Sequence, residues 1–458
     1  MLDSSTIHAL ETIVGSGNVI AGSGELIAYS YDSQSVHAVP DAVVSPGSTA
    51  ETAEVVKLAA SRAIPVIPRG AGSGMTGGSV PERGGIVLNM ERMNRILRID
   101  PVDRIGILEP GVITGDFQDA AAKLGLFYPP EPASSRYSSV GGNIAESAGG
   151  LGCVKYGLTK QFIAGLEFVT ADGTVVTTGV FSEAGAPFDI GAVLAGSEGM
   201  LAVVTKVTLR LIPLPKRRVT MLALFRSLAD AALASNAVLA SGAGPSVLEF
   251  MDGDCIETVR EYAEVDIPDG TGALLIVELD GDADEVDAGS VRVEKALSGR
   301  NPISVRSAED EKTRVELWKL RKSVSPAIAK IAPLKFNEDI CVPLSKIPEM
   351  CTFVEQLGKR NNVKVVTFGH SGDGNLHVNF MTHFNRPDEI GRVKSSIVEL
   401  FGESVRQGGT LSGEHGIGIA KRPYIGIALD GATIEYEKRI MAAFDPAELF
   451  NPGKMFPA

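Results

Sequence analysis

Cysteine is scarce in this sequence. Among 458 residues there are four, Cys153, Cys255, Cys341 and Cys351, and no two form a C-x-x-C pair. Neither an iron–sulfur cluster nor a cysteine-rich zinc site is therefore written here. The wide spacing argues against a disulfide scaffold and for a reducing compartment. No run of about 18 apolar residues occurs, so no membrane-spanning helix is expected. The opening Met1-Leu2-Asp3-Ser4-Ser5 lacks the basic-then-apolar layout of a secretory leader. The expected location is the cytoplasm, with any membrane attachment made through a partner. Basic residues are outnumbered, 43 Lys and Arg against 56 Asp and Glu, for a net charge of −13. That sign argues against nucleic acid as a partner. An anionic substrate entering such a body needs local Arg, Lys or metal.

Glycine is plentiful and unevenly spread. Residues 1 to about 214 carry short apolar runs between Gly, Pro and Asp, and strands are expected at Ala42–Ser45, Pro65–Pro68, Gly85–Leu88, Ile105–Leu108, Gly165–Thr170 and Ala202–Leu211. Helical patterns cover Glu51–Arg62 and Thr114–Leu124, the first with Ser48 as cap and Glu51 three residues on. Ile212-Pro213-Leu214-Pro215-Lys216-Arg217-Arg218 is a boundary: two prolines stop a strand and three basic residues keep the chain in water. From 215 to about 405 amphipathic helices alternate with strands such as Ala273–Leu279 and Lys364–Phe368, a second domain. Residues 406–458 return to Gly-rich loops and are expected to rejoin the first.

The densest glycine cluster is Pro68-Arg69-Gly70-Ala71-Gly72-Ser73-Gly74-Met75-Thr76-Gly77-Gly78-Ser79. It contains G-x-G-x-x-G, but the dinucleotide fingerprint needs a helix directly after the glycines. Here Gly78-Ser79-Val80-Pro81 follows, which will not start one, so the Rossmann reading is rejected. Successive glycines can instead turn their N–H groups inward as an anion nest, with Arg69 beside it and a pyrophosphate as the natural guest. Glycine content alone also suits a surface loop. A second run, Tyr128-Pro-Pro-Glu-Pro132 and then Ser138-Ser-Val-Gly-Gly-Asn-Ile-Ala-Glu-Ser-Ala-Gly-Gly150, and a third, Gly196-Ser-Glu-Gly199, favour the ligand.

The order P-R-G-x-G-x-G, P-P-x-P, G-G-N-x-x-x-x-A-G-G, G-S-E-G resembles the FAD-binding domain of the vanillyl-alcohol-oxidase and p-cresol-methylhydroxylase superfamily. The resemblance implies an α+β fold. A two-part FAD-binding domain (about 1–100 and 101–214) would be joined by an α+β cap domain with an antiparallel sheet. By the same resemblance Arg69, Gly70, Ala71, Gly72, Ser73, Gly74, Gly77 and Gly78 hold the pyrophosphate. Ser139, Gly141, Gly142, Asn143, Ser147 and Gly149 line the isoalloxazine and ribityl side. Pro68, Pro130, Glu131, Gly150, Gly157, Glu198, Gly199 and Val203 complete the cofactor set. Some members tether the flavin through a His in the first loop; Arg69–Gly78 has none, so noncovalent FAD is expected.

Six histidines are present, and three fall in His370-Ser-Gly-Asp-Gly-Asn-Leu-His377 and Gly413-Glu414-His415-Gly416. The first reads as a hairpin, strand Val363–Gly369, turn Ser371–Asn375 and strand Leu376–Phe380, which brings His370 and His377 together. Two imidazoles so placed can share a cation, and an added carboxylate completes a two-His-one-acid set. A His pair on a hairpin can equally be polar surface.

G-H-x-G-D-G-N-L-H followed by G-E-H-G-I-G resembles the D-lactate dehydrogenase, glycolate oxidase and D-2-hydroxyglutarate dehydrogenase branch of that superfamily. The resemblance implies a divalent metal, zinc first and then manganese or iron, on His370, His377 and Glu414. It makes His415 the base and Asn379 a substrate contact. Asn451, in a closing N-P-G-K motif, becomes a flavin contact. Arg314, Trp318, Arg321 and Ser325 share one helical face by spacing, and the branch singles out Arg321 as the carboxylate anchor. Its site lysine falls on Lys335 or, counted back from Pro343, at Asn337.

The expected activity is FAD-dependent oxidation of a D-2-hydroxy acid, D-lactate before D-2-hydroxyglutarate or glycolate, by hydride transfer to flavin N5. Without a haem motif, cluster or NAD fingerprint, electrons need an external acceptor: a quinone, a cytochrome, an electron-transfer flavoprotein or an iron–sulfur subunit. A homodimer is an expected assembly. The competing readings are a flavin oxidase of a sugar or aromatic alcohol and a non-catalytic FAD-binding subunit.

Overall fold

The computed structural model describes residues 2–34, 36–179, 189–262, 264–308 and 310–457. The chain divides into two compact units: Met1–Gly149 with Leu158–Leu214 and Glu414–Ala458, and Gly150–Gly157 with Pro215–Gly413.

The first unit carries strands β1 (Val19–Ile20), β2 (Ala42–Val44), β3 (Val66–Arg69), β4 (Ile86–Asn89), β5 (Ile96–Asp100), β6 (Ile105–Leu108), β7 (Leu126–Phe127), β8 (Ile163–Val169), β9 (Val175–Gly179), β10 (Val203–Arg210) and β11 (Ile212–Pro213). One sheet has the order β1-β2-β4-β3, with β2, β4 and β3 parallel. Helix Thr49–Ser61 makes the crossover from β2 to β3. Ser48 caps it, accepting from the Glu51 N–H at 3.2 Å, and Glu51 answers by accepting from Gly47 N. A second, antiparallel sheet has the order β5-β6-β10-β8-β9. Val44, Val66, Ile86 and Leu88 of the first sheet share one core with Val169 and Val203 of the second. Leu449 and Phe450 complete that core, and Phe450 bridges Val66. The C-terminal segment is thereby laid beside β3, the strand that runs into the glycine cluster.

The second unit is built on seven strands: β12 (Arg217–Phe225), β13 (Val247–Asp252), β14 (Ala273–Gly281), β15 (Ser304–Ser307), β16 (Leu334–Cys341), β17 (Lys364–His370) and β18 (Asn375–Thr382). Their order is β15-β12-β14-β13-β17-β18-β16, antiparallel throughout. Side chains on successive residues point to opposite faces. One face packs against helices Leu228–Ala240, Ala283–Ser298, Ile347–Asn361 and Pro387–Arg406. The other carries Leu222, Leu224, Leu274, Ile276, Met251, Val366, Phe368 and Met381, in one core with Leu317, Trp318 and Leu320 of helix Glu311–Lys322. Toward β17, β18 and β16 this second face turns polar, with His370, His377, Asn379 and Asp339 buried there. Among the described residues no helix is long and apolar enough to cross a membrane.

One expectation is refined and one needs correcting. Arg217 and Arg218 stay exposed just past the division at Leu214, but they already begin β12, and Lys216 and Arg217 pair with Asp282 (3.0 Å) and Asp287 (2.7 Å). Ser325 does not share a helix with Arg321. The helix stops at Lys322, and Ser325 belongs to the separate turn Val324–Ala327.

Candidate active site

In the first unit the glycine cluster is a loop, with no helix between Gly70 and Gly85. Gly72 and Gly77 sit at φ +66° and +82°, where a side chain is strained. Packing excludes side chains as well. A Cβ on Gly72 would lie 2.1 Å from the Arg69 guanidinium, and one on Gly77 would lie 3.1 Å from Ile419. Arg69 is buried, donates to Ser79 Oγ at 3.0 Å and lies over the Tyr29 ring. The loop is braced from behind. Ser33 N donates to Gly74 O, Asn451 Nδ2 donates to Gly78 O and Glu198 O (2.7 Å each), and Lys454 Nζ donates to Gly77 O (2.9 Å) and Val80 O. Burial pulls the Lys454 ammonium down to about 8.

The second glycine run is partly helical. Residues Val140–Glu146 form a helix despite Gly141 and Gly142, because Ser139 Oγ caps Gly142 N at 3.3 Å. Gly141 is packed so close to Pro110 that a Cβ would approach it to 2.6 Å, and a Cβ on Gly70 would meet Ser139 Oγ at 2.1 Å. The two glycine runs thus meet where Gly70 faces the Ser139 side chain. Asn143 donates to Thr114 Oγ1 at 2.7 Å, and Gln118 Nε2 donates to Pro130 O at 3.0 Å. Gly150 and Gly157 fall in the short segment that groups with the second unit.

Three expected cofactor residues have structural work that the sequence did not reveal. Val203 is buried in the apolar core. Both carboxylate oxygens of Glu198 accept backbone N–H groups, from Ile417 (2.6 Å) and Gly418 (2.7 Å), while burial pushes its pKa up. Asn451 spends its amide N–H groups on the loop. Its Oδ1, with Ser147 Oγ and Asp32 Oδ2, is buried without a partner among the described residues. A backbone cradle closed to side chains and rimmed by unmatched polar atoms fits a dinucleotide such as FAD.

In the second unit antiparallel register assembles a second cluster. Glu249 of β13 stands opposite His370 of β17; His377 of β18 stands between Phe368 and Asp339; Asn379 stands between Val366 and Asn337. All of these therefore face the same side. His370 Nε2 and His377 Nε2 are 3.4 Å apart and both rings are buried. His370 Nδ1 is bonded to Glu249 Oε1, and Glu249 Oε2 accepts from Arg321 Nε at 2.7 Å. The Arg321 guanidinium lies 4.8 Å over the Phe368 ring, itself 5.2 Å from the His377 ring.

Asp339, fully buried, accepts from Ser412 Oγ and from Gly413 N (2.9 Å). A Cβ on Gly413 would reach 1.7 Å from the Asn375 amide, so only glycine fits there. The chain then continues into Glu414. Two nitrogens bound to one tetrahedral ion at about 2.0–2.1 Å would stand roughly 3.3–3.4 Å apart. The paired imidazoles, 3.4 Å apart, therefore fit a divalent cation. His415 accepts at its backbone carbonyl from Thr76 Oγ1 at 3.2 Å.

The strand also decides the geometry at the lysine position. Lys335, Asn337 and Asp339 alternate onto one face, so Lys335 and Asn337 both look toward the side of His377. Asn337 Nδ2 donates to Asn379 Oδ1 at 2.6 Å, and Asn379 spends its own N–H groups on the Val366 and His377 carbonyls. Half-buried Lys335 donates to Ser325 Oγ at 3.5 Å, and burial pulls its pKa down.

The family model for the C-terminal domain of FAD linked oxidases matches residues 214–455, and the FAD binding domain model matches residues 40–179. The chain belongs to the FAD-linked oxidases. Among its relatives, the glycolate oxidase subunit GlcD of Bacillus subtilis (strain 168) is 35% identical over 100% of this chain and 97% of its own length. The D-lactate dehydrogenase of Anaerostipes hadrus is 31% identical over 93% of this chain and 92% of its own. In structure, p-cresol methylhydroxylase with substrate bound superposes with a TM-score of 0.81 at 18% identity, over 98% of this chain and 96% of the other. For this FAD-linked oxidase the expected fold class is therefore the observed one.

Sequence reasoning missed Glu249. The available signal was a carboxylate in the middle of the apolar strand Val247-Leu-Glu-Phe-Met-Asp252, a residue rarely buried without a charged partner.

Proposed function

We propose that this FAD-linked oxidase oxidises a D-2-hydroxy acid to the 2-oxo acid and passes the electrons to a separate acceptor. D-Lactate is the first candidate, ahead of D-2-hydroxyglutarate and glycolate. The observation that carries this reading is the buried sheet face where His370, His377 and Arg321 stand together. Arg321 spends only Nε on Glu249; neither terminal nitrogen has a hydrogen-bond partner among the described residues. A buried guanidinium with two open donors suits a carboxylate, and the paired imidazoles supply what an adjacent hydroxyl needs. The names of the two relatives, which specify glycolate and D-lactate, agree.

In this proposal FAD, when bound in the cradle, supplies the hydride acceptor at N5. With no histidine in Arg69–Gly78, it is held without a covalent link. A divalent cation, zinc before manganese or iron, would be held by His370, His377 and Glu414, where it supplies Lewis-acid stabilisation of the developing alkoxide. The chain's own groups do the rest. Arg321 fixes the substrate carboxylate, Lys335 and the Asn337–Asn379 pair limit its tilt, and His415 takes the hydroxyl proton as general base. The acceptor is a quinone, a cytochrome, an electron-transfer flavoprotein or an iron–sulfur subunit.

The test is anaerobic mixing of the FAD-loaded protein with a panel of D- and L-2-hydroxy acids. Bleaching of the flavin band by D-acids in preference to L-acids is expected. A flavin that dithionite reduces but every acid leaves oxidised overturns the proposal.

A further inference from the structure

One carboxylate ties the imidazole pair to the guanidinium. Glu249 is fully buried in β13, between Leu248 and Phe250. A carboxylate there is costly unless both oxygens are matched by charge or strong donors. Both are. Oε1 meets His370 Nδ1, its direct neighbour in register, and Oε2 accepts from Arg321 Nε, which arrives from the helix packed on the same face.

Each contact has a consequence for the partner. A carboxylate on Nδ1 keeps the imidazole proton there, so His370 presents Nε2 as a lone pair toward His377 Nε2. A carboxylate on Nε fixes the guanidinium plane, so Arg321 presents its two terminal nitrogens away from Glu249. The Phe368 ring under the guanidinium, in contact with His377 as well, holds that plane from below.

We propose that Glu249 is a positioning residue that sets the His370 tautomer and the Arg321 orientation together, so that the donor pair and the carboxylate anchor form as one unit. The Arg321 half rests on the hydroxy-acid reading above; the tautomer half does not. Glutamine is close to isosteric here but serves only one neighbour. If its carbonyl oxygen accepts from Arg321, its amide donates to His370 Nδ1 and drives the proton to Nε2. If it accepts from His370, its N–H groups face the Arg321 N–H.

Three measurements on the full chain test this. In metal-free wild-type protein labelled with 15N-histidine, His370, assigned by loss of its signals in His370→Gln, is expected to carry its proton on Nδ1. Glu249→Gln is expected to shift that signal toward the Nε2–H form. Zinc affinity, read by competition with a chromophoric chelator, is expected to fall about ten- to a hundredfold in Glu249→Gln, with circular dichroism confirming the fold. For a D-acid that reduces the wild-type flavin, KM is expected to rise in the same variant. A wild-type His370 with its proton on Nε2 overturns the proposal without any variant, so a Glu249→Gln chain that fails to fold leaves it testable. Folded Glu249→Gln that binds zinc within twofold of wild type also overturns it and leaves the metal reading intact. Wild type that binds no zinc yet shows a Glu249-dependent Nδ1–H tautomer removes the metal from the proposed function and upholds the positioning role.

Discussion

Each unit buries a carboxylate beside a candidate ligand site, and the two do so differently. In the glycine cradle the backbone N–H groups of Ile417 and Gly418 donate to Glu198, with the buried Lys421 and Lys454 ammonium groups adding attraction. On the sheet face Glu249 is matched by His370 and Arg321. The first arrangement shapes a loop; the second aims two functional side chains. The cradle therefore depends on which positions lack a Cβ, and the sheet face depends on which side chains sit in register. Damage to one should leave the other standing, and that separation can be tested.

The largest effect is expected from His377→Ala. It removes one of the paired nitrogens, and Lewis-acid stabilisation is worth several kcal/mol, so turnover should fall by roughly a thousandfold. Zinc content should fall with it, while the visible flavin band persists. Loss of the flavin from this variant would show that the two regions are not separable. Gly77→Val is the mirror experiment. A β-branched residue at φ +82° against Ile419 costs about 1–3 kcal/mol. FAD affinity should weaken roughly five- to a hundredfold, read by fluorescence of released flavin, with zinc affinity unchanged.

The same contrast explains what was legible in the sequence. The cradle was visible because glycine spacing is local: Arg69–Gly78, Ser138–Gly150 and Gly196–Gly199 each lie within a dozen or so residues. The refusal of a helix after Gly77-Gly78 was right. The same rule would have failed at Gly141-Gly142, where Ser139 supplies a cap that outweighs two poor helix formers. The histidine hairpin was visible because both strands flank one turn, although it runs further than expected, to His370 and from Asn375 through Thr382. Glu249 was not visible. It lies 121 residues from His370 and 72 from Arg321, and only strand order brings them together. Roles for Asp339 and Gly413 were hidden for the same reason: a glycine's need to pass Asn375 is a tertiary fact. Arg321 was found through the resemblance, but spacing alone also suited an exposed face, whereas the residue is buried.

Arg321→Lys sharpens the comparison at a smaller scale. It keeps the charge and loses the fork, so one ammonium must serve Glu249 and the substrate together. A charged hydrogen bond is worth about 1.5–3 kcal/mol, so KM for the D-acid should rise roughly ten- to a hundredfold while the flavin spectrum and zinc content hold. An unchanged KM would move the carboxylate anchor away from Arg321.

The smallest effect is expected at Asp252, three residues beyond Glu249 on the same strand. It is partly buried, and among the described residues no cation pairs with it. Its oxygens accept from the N–H groups of Cys255 (2.8 Å) and Thr367 (2.5 Å). Burial outweighs these and pushes its pKa from 3.8 up to about 6. The folded chain therefore holds this proton more tightly than the unfolded chain. The resulting stability is fully present below about pH 4 and is lost as pH rises through about 6, an effect of about 1–3 kcal/mol. Asp252→Asn cannot titrate, so any cost it carries is constant with pH. Chemical denaturation from pH 4 to 7 should show wild type losing that amount relative to the variant. Parallel curves would mean that backbone donors alone satisfy a buried carboxylate in this sheet, and the case for cations as the special feature of Glu249 would weaken accordingly.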